Sequence, residues 1–291
     1  MMFFGHLLTA MVTPFDEKNR IDFDITTQLI EHLLDNGTDG LVVAGTTGES
    51  PTLSHEEKIS LFKHVLQVVD GRVPIIAGTG NNNTQESIAL TKEAEQLGVD
   101  AALIVSPYYN KPNQEGLLQH FSAIANQTTL PIMLYNIPSR AVVKLNVETV
   151  VALSEVDNVV SVKDSTGDLD ALASIIEQTS DDFTVYSGDD SMTLPIQSIG
   201  GAGVVSVSSH VVGKQMKEMI HLFEQGNVKE AATRHRQLLP IMRALFMAPS
   251  PSPVKSALRY QQINVGSVRL PLVPLSPFEE QNLFRVLDSF E

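Results

Sequence analysis

Short apolar runs alternate with helical segments along most of this chain, and this alternation limits the possible folds more than any other feature. The runs include GLVVAGTTGE, VPIIAGTG, AALIVSPYYN and FTVYSGDD, and each has the length and composition of a buried parallel strand. About eight such runs recur at intervals of roughly thirty residues, as strand–helix units do. The pattern predicts an α/β fold, a (β/α)8 TIM barrel. A doubly wound sheet is the alternative, but no GxGxxG motif follows the first strand.

Capping signals mark the ends of the helices between these strands. Ser54 stands three residues before Glu57, which predicts a capping box at the start of a helix. Thr84 is the predicted cap of the next helix, and Gly98 is its predicted stop. Gly37 in the same way follows the first helical segment.

The C-terminal part of the chain differs from the rest. Beyond about residue 210 the strand pattern stops and helical segments continue, including SPFEEQNLFRVLDSF with a capping box from Ser276 to Glu279. Because a barrel needs only one helix to close, we expect a helical C-terminal extension. The predicted division is a catalytic barrel over residues 1–225 and a helical appendage over residues 226–291.

Composition narrows the class of protein. The 291 residues suffice for one large α/β domain, and the absence of cysteine excludes disulfides and thiolate metal sites. The formal charge of -14 argues against binding to nucleic acids or anionic membranes, which attract basic patches. The N-terminal stretch MMFFGHLLTAMVTPF is too short to span a bilayer and lacks the features of a signal peptide. We expect a soluble cytoplasmic protein.

The stretch VVSVKDSTG carries Lys163 at the end of an apolar run of strand type. One interpretation is structural: the side chain caps the strand and extends its charge to water, as most lysines do. The other is chemical: the amine lies in a dry pocket, where desolvation can lower the pKa of an amine by a few units, and acts as a nucleophile. The residues at the other strand ends decide which interpretation is favoured.

Those strand ends favour a nucleophilic lysine, because in a barrel they face one shared pocket. They carry hydroxyls, backbone amides and an arginine: Thr46 and Thr47 with Glu49 in GTTGES, Tyr108 and Tyr109 in SPYYN, and Tyr135 and Arg140 in YNIPSR. Hydroxyls can relay the protons that imine formation requires, and loop amides can hold a carboxylate. Together these groups suit a 2-oxo acid that condenses with an amine.

Other chemistries have less support. The sequence has no HExxH motif or comparable cluster for a metal, and no GxSxG elbow for a serine nucleophile. The loop after the seventh predicted strand contains Asp189 and Asp190, which would repel a phosphate. We therefore expect an unphosphorylated substrate, no metal and no other cofactor.

The order of these motifs resembles one family. GTTGES, PYYN, YN-PSR, VKDSTG and SGDD occur here as in 4-hydroxy-tetrahydrodipicolinate synthase, formerly dihydrodipicolinate synthase, a family of Schiff-base class I aldolase-type barrels. The resemblance extends from VTPF at residue 12 to RLPLVP near residue 274. It implies a lyase of lysine and diaminopimelate biosynthesis, usually a homotetramer, that condenses pyruvate with L-aspartate 4-semialdehyde through a lysine imine and without a cofactor.

The resemblance also implies a role for each matching residue. Lys163 forms the Schiff base with pyruvate, and Tyr135 donates and accepts protons. Thr46 and Tyr109 are its relay partners, and Tyr109 reaches in from a neighbouring subunit. The implied substrate contacts are Thr47 at the pyruvate carboxylate, Val205 as an apolar contact to pyruvate, Arg140 at the carboxylate of the second substrate and Gly188 through its backbone.

The sequence departs from the family pattern at two loops. After Ser139 and Arg140 the family commonly continues with Thr-Gly, whereas this chain has Ala141 and Val142. We therefore expect the loop beside the arginine to differ in shape. The usual acidic-Pro-Asn-Pro stretch late in the chain is APSPSPVK here, and we expect it to lie outside the pocket.

The regulatory region departs as well. Lysine-inhibited members often carry two histidines on the helix after GTTGES; here His55 matches the first, and Lys58 replaces the second. The resemblance places a possible allosteric site at His55, Lys58, Asn82, Glu86 and Tyr108. Because a cation repels the ammonium groups of lysine, we predict weak or absent inhibition by lysine. The alternative for His55 and Lys58 is an exposed helix face with no regulatory role.

Two other functions stay open. A sister of the same superfamily, such as N-acetylneuraminate lyase or a 2-keto-3-deoxy sugar acid aldolase, shares the lysine and the YN-P tyrosine but cleaves polyhydroxylated substrates. Arg140 beside Ser139 and the paired Tyr108 and Tyr109 favour the condensing synthase. The other function is that of a catalytically silent barrel, which the intact set of lysine, tyrosine and threonine disfavours.

Overall fold

Eight short strands follow one another along residues 3–290, the part of the chain that a computed structural model describes. Each strand pairs in parallel with its neighbour in sequence, and the last pairs with the first, so that the sheet closes into a barrel. The predicted (β/α)8 barrel is confirmed. The strands are β1 Leu7–Ala10, β2 Gly40–Val43, β3 Ile75–Gly78, β4 Ala101–Val105, β5 Ile132–Asn136, β6 Val159–Asp164, β7 Thr184–Ser187 and β8 Gly203–Ser206.

Helices connect the strands and cover the outside of the barrel. Two 3-10 turns, Ser50–Thr52 and Asp190–Met192, interrupt the connections after β2 and β7. Across residues 3–290 no helix is both long enough and apolar enough to cross a lipid bilayer. The helices are α1 Phe23–Asp35, α2 His55–Val69, α3 Thr84–Leu97, α4 Gln114–Ala125, α5 Pro138–Ala141, α6 Val147–Ser154, α7 Leu169–Gln178, α8 Thr193–Gln197, α9 Ser209–Glu224, α10 Val228–Ala244, α11 Ser252–Tyr260 and α12 Pro277–Asp288.

The strands separate two apolar layers, because successive residues of a strand face opposite sides. Leu41 and Val43 of β2 belong to the layer between the strands and the helices, whereas Val42 belongs to the barrel interior. The interior is packed with side chains, including Met133 of β5 and Val205 of β8. The barrel is therefore a filled core rather than a channel, and only its C-terminal rim is open to ligands.

The predicted helix ends are confirmed with one correction. The capping boxes at Ser54 and Ser276 are both formed, and Gly98 ends α3 in the left-handed conformation. Thr84 is wrong as the cap of α3: it is the first helical residue, and the side chain of Asn83 accepts the backbone N–H groups of the first turn. Asparagine is a stronger N-cap than threonine, which explains the one-residue difference.

The C-terminal helices pack directly against the barrel and against one another. Helix α9 follows β8 and packs on β1, and α10 packs along α9. The predicted division after residue 225 falls in the turn between α9 and α10. Further on, the carbonyl of Val265 accepts the backbone N–H of Phe15 at 3.1 Å, which joins the extension to the N-terminal part of the barrel.

Candidate functional site

Lys163 lies one residue before the end of β6, and its side chain is only 5% exposed. In the register of the sheet it stands between Tyr135 of β5 and Tyr186 of β7. Its Nζ lies 4.0 Å from the centroid of the Tyr135 ring, a distance at which a cation is attracted to an aromatic face. The side chain therefore does not extend to water, and it has the burial that a nucleophilic amine requires.

A cavity of about 230 Å³ lies beside Tyr135 at the C-terminal rim of the barrel. Thr46, Tyr108 and Arg140 line this cavity together with Tyr135, so predicted site residues from three different loops meet there. Its volume suits a molecule of a few carbon atoms. The rest of the lining is small or apolar: Ala44, Gly45, Ser50, Pro51, Gly78, Gly80, Leu103, Val105, Ile137 and Ala141.

Three of the predicted substrate contacts are buried or tightly packed around this region. Thr47 is 6% exposed, and Val205 belongs to the apolar interior of the barrel with Tyr135. Gly188 approaches Lys163 so closely that a Cβ atom on it would lie 2.9 Å from Cε of the lysine. Its backbone N–H donates to the carbonyl of Asp164 at 2.7 Å, which ties the loop after β7 to the end of β6.

Two predicted catalytic residues, Lys163 and Tyr109, do not line this cavity. Lys163 is buried against Tyr135 beside it, whereas Tyr109 is exposed. The side chain of Tyr109 is 88% exposed, and its backbone φ is 73°. A left-handed conformation is uncommon for a residue other than glycine. The predicted role of Tyr109 in a neighbouring subunit stays a prediction.

Glu49 does not face the cavity, contrary to its predicted place among the strand-end groups. It is 2% exposed, and its Oε1 atom makes an ion contact of 2.6 Å with Nζ of Lys255 on α11. Its backbone is in the left-handed conformation, with φ at 58°. The sequence interpretation missed Lys255, which lies in APSPSPVK. The available signal was its place between Val254 and Leu258, on the apolar side of the helix.

The two aspartates after β7 have partners within the fold. Asp190 is 2% exposed and accepts hydrogen bonds from the backbone N–H and the hydroxyl of Ser208, at 2.9 and 2.8 Å. Burial raises the pKa of its carboxyl group, and the hydrogen bonds oppose that rise. Asp189 caps the adjacent 3-10 turn by accepting the N–H of Ser191. The aspartates therefore shape the loop, and the predicted repulsion of a phosphate stays a prediction.

The predicted allosteric residues divide into two groups. Lys58 is half-buried; burial lowers the pKa of its amine, and the nearby carboxylate of Glu86 raises it. Burial and the same carboxylate raise the pKa of Tyr108, whose carbonyl accepts the side-chain amide of Asn82 at 3.1 Å. These four residues therefore lie together. His55 instead contacts α3: its Nε2 atom lies 3.0 Å from a side-chain carboxylate oxygen of that helix.

The loop beside Arg140 carries a left-handed residue, and whether its shape differs from the family's stays a prediction. Arg140 is exposed at the rim, on the short helix α5. Val142 ends this helix with φ at 66° and is 64% exposed. A left-handed conformation is costly for a β-branched residue and favourable for glycine, the residue common in the family at this place. The loop is therefore strained at Val142.

The fold defines the chain as a (β/α)8 barrel with a buried lysine near the end of its sixth strand. Within the part of the chain that is described, no group of three or more histidine, aspartate or glutamate side chains is arranged to hold a metal ion. The model of the Dihydrodipicolinate synthetase family matches residues 3–289. The chain belongs to this family.

Individual relatives agree with this assignment over the full length. A 4-hydroxy-tetrahydrodipicolinate synthase of Oceanobacillus iheyensis is 57% identical and covers 100% of this chain and 98% of its own. The crystal structure of dihydrodipicolinate synthase from Bacillus anthracis superposes with a TM-score of 0.98 at 56% identity, over 99% of both chains. The enzyme of Cyanidioschyzon merolae with lysine bound gives a TM-score of 0.98 at 44% identity, over 100% of this chain and 99% of that one.

Replacing the strained residue beside Arg140 is expected to stabilise the protein. The left-handed conformation costs a non-glycine residue about 1–2 kcal/mol, and the added freedom of the unfolded chain with glycine offsets roughly 0.5–1 kcal/mol of the gain. Val142→Gly should therefore raise the free energy of unfolding by about 0.5–1 kcal/mol in urea titrations.

The matched control is Val143→Gly, the next residue, which has no left-handed φ and packs against the core. It should destabilise the protein, because it removes apolar contacts and adds freedom to the unfolded chain. Equal destabilisation by both substitutions would contradict the assignment of strain to Val142.

Proposed function

We propose that this chain is a lyase that condenses pyruvate with L-aspartate 4-semialdehyde to give 4-hydroxy-tetrahydrodipicolinate, a cytoplasmic step of lysine and diaminopimelate biosynthesis. The observation that carries the proposal is the buried amine of Lys163 against the ring of Tyr135, beside a cavity lined by Thr46 and Arg140. The name of the Oceanobacillus iheyensis relative, 57% identical over the whole chain, supports the same reaction.

The first step joins pyruvate to the enzyme. The neutral amine of Lys163 attacks the keto carbon of pyruvate, and loss of water leaves an imine. The hydroxyl of Tyr135 supplies the proton with which the departing oxygen leaves as water, and Thr46 relays protons to it. The amides and hydroxyl of the loop at Thr47 hold the pyruvate carboxylate. Val205 packs against the methyl group.

The second step forms the carbon–carbon bond. The protonated imine withdraws electrons, so that a methyl proton of the bound pyruvate is lost and an enamine forms. The enamine carbon attacks the aldehyde carbon of L-aspartate 4-semialdehyde, whose oxygen takes up a proton. Arg140 at the rim receives the carboxylate of this second substrate, because a guanidinium can make two parallel hydrogen bonds to it.

The last step releases the enzyme. The amino group of the second substrate attacks the imine carbon, which closes a six-membered ring and expels the amine of Lys163. The reaction is balanced without an external oxidant or reductant, since water leaves when the first imine forms and the substrate amine replaces the lysine. The lysine imine serves as the electron sink, so we propose that the enzyme uses no other cofactor.

The sister lyases of the superfamily fit less well. A cavity of about 230 Å³ suits pyruvate and a four-carbon partner better than a long polyhydroxylated sugar acid. The relatives described above are named as the condensing synthase.

The exposed ring of Tyr109 supports a multi-subunit enzyme. Its side chain is 88% exposed in the single chain, so it is free to contact a neighbouring subunit. We propose a homotetramer in which Tyr109 of one subunit completes the proton relay of its neighbour. A monomeric variant of dihydrodipicolinate synthase, 40% identical to this chain, has also been solved.

Weak regulation by lysine is the last part of the proposal. The Cyanidioschyzon merolae enzyme has been solved with lysine bound. In this chain Lys58 lies close to Glu86, and its charge would oppose the ammonium groups of an incoming lysine. We therefore propose that lysine inhibits this enzyme weakly or not at all.

Trapping tests the covalent step directly. Pyruvate with borohydride should add one reduced pyruvate imine to Lys163, identified by peptide mass mapping. Lys255, the other deeply buried lysine, is an internal control and should stay unmodified. Tyr135→Phe should reduce kcat about a hundredfold or more, because it removes the acid–base hydroxyl. A chain that forms no adduct on Lys163 would contradict the proposal.

Co-expression of two inactive chains tests the role of Tyr109. Lys163→Ala and Tyr109→Phe chains should regain about a quarter of the unchanged activity when they are combined, since half of the dimers are mixed and one of two sites is then intact. Each variant alone is the control. If Tyr109 acts within its own chain, mixing restores nothing above the residual activity of Tyr109→Phe.

The unchanged enzyme should keep its activity at micromolar lysine. Lys58→His removes the fixed cation at neutral pH and should increase the sensitivity to lysine severalfold. Lys63→His, on the exposed face of the same helix, is the matched control and should leave it unchanged. Inhibition of the unchanged enzyme at micromolar lysine would overturn this part of the proposal.

A further inference from the structure

We propose that the buried ion pair between Glu49 and Lys255 positions the GTTGES loop, residues 45–50, for the binding of pyruvate. Both residues lie outside the cavity, and neither touches the reacting atoms. They act through Thr46 and Thr47 of the same loop. The inference therefore rests on the proposed roles of these two threonines.

Lys255 is held on all sides by acceptors. Its Nζ lies 2.6 Å from Oε1 of Glu49, and each of the two side chains is 1% exposed. The ammonium also donates to the carbonyl of Ser267 at 2.8 Å and lies 4.2 Å from the centroid of the Phe15 ring. A carboxylate, a carbonyl and an aromatic face thus lie around the amine, and its contact with Glu49 is an ion pair. These contacts fix the side chain of Lys255, so it cannot follow a movement of the GTTGES loop.

The second oxygen of Glu49 is fixed as well. Oε2 accepts the backbone N–H of Arg269 at 2.8 Å. The guanidinium of Arg269 donates to the carbonyl of Thr52 at 2.7 Å and to a carboxylate oxygen of Glu57 on α2 at 2.8 Å. The C-terminal segment therefore holds both the loop and the turn that follows it.

A hydrogen bond within the loop couples the position of Glu49 to that of Thr46. The backbone N–H of Glu49 donates to the carbonyl of Thr46 at 3.1 Å, so the two residues move together. The carbonyl of Gly48 accepts the hydroxyl of Thr13 at 2.7 Å, and a Cβ on this glycine would lie 3.1 Å from the carbonyl oxygen of Met11. The loop is thus held on one side by the segment that follows β1 and on the other by α11.

Stabilisation alone does not account for a pair of this kind. Removing two charges from water costs about as much as their attraction returns, so well-packed apolar residues of similar volume are often as good for stability. Burial lowers the pKa of Lys255 to about 8, although the carboxylate of Glu49 opposes that shift. What the pair adds is a fixed geometry for the loop.

The test uses the double variant Lys255→Met with Glu49→Gln, in which both members become neutral and no lone charge is left in the core. We expect this variant to fold as a tetramer. The double variant should raise the KM for pyruvate about tenfold, with a smaller change in kcat, because ground-state binding of pyruvate is lost. Borohydride trapping at low pyruvate should slow by the same factor.

The matched control is a second ion pair that ties the extension to the barrel helices. Arg234 of α10 lies 2.7 Å from Glu218 of α9, both partly exposed and distant from the loop. The double variant Arg234→Met with Glu218→Gln should keep the pyruvate KM within about twofold of the unchanged value. The KM for the second substrate should stay within the same range in both double variants, since Arg140 is not on the loop.

Each outcome decides the matter. A folded variant with both charges removed and an unchanged pyruvate KM overturns the positioning role. A double variant that cannot be recovered in folded form also overturns it, because the pair is then needed for folding rather than for the loop. If the unchanged chain is not trapped on Lys163, the proposed function fails. If it is trapped, and the double variant of the buried pair is trapped equally fast, only the positioning role fails.

Discussion

Parallel pairing between β8 and β1 closes the ring of strands, and the rest of the molecule depends on this closure. Closure brings the C-terminal ends of all strands to one rim, so that groups far apart in sequence can share a pocket. Below the rim, packed apolar side chains exclude water from the interior. Lys163 reaches the rim from inside this dry layer, with Tyr135 beside it. The reactivity proposed for the amine is thus a property of the barrel as a whole.

The local part of this architecture could be predicted from the sequence. Strand–helix alternation and capping residues depend on neighbours within a few positions, and they gave the barrel and the helix ends such as Ser54. The rule for strand ends brought Thr46, Tyr135 and Arg140 to one cavity. The error at Thr84 was a local one as well, since two adjacent residues were both acceptable caps.

The remaining features depend on contacts between distant segments, which a pattern of neighbours does not contain. Glu49 and Asp190 looked like pocket groups because they follow strands, but partners elsewhere in the chain turn them inward. Lys255 looked like an ordinary polar residue of a helix. Tyr109 poses a different difficulty, because its proposed destination is in another molecule. Val142 and Lys58 are departures of single residues from the family pattern, on a barrel that keeps the family fold.

The clamp on residues 45–50 has a consequence for the order in which the protein matures. Chains are made from the N-terminus, and the early strands emerge from the ribosome well before α11 and Arg269. On the proposed role of the ion pair, a nascent chain already contains Lys163 and most residues of the pocket wall before the loop that binds the pyruvate carboxylate is fixed in position. Catalytic activity then depends on the C-terminal segments, so a chain that is incomplete or truncated at its C-terminal end is inactive.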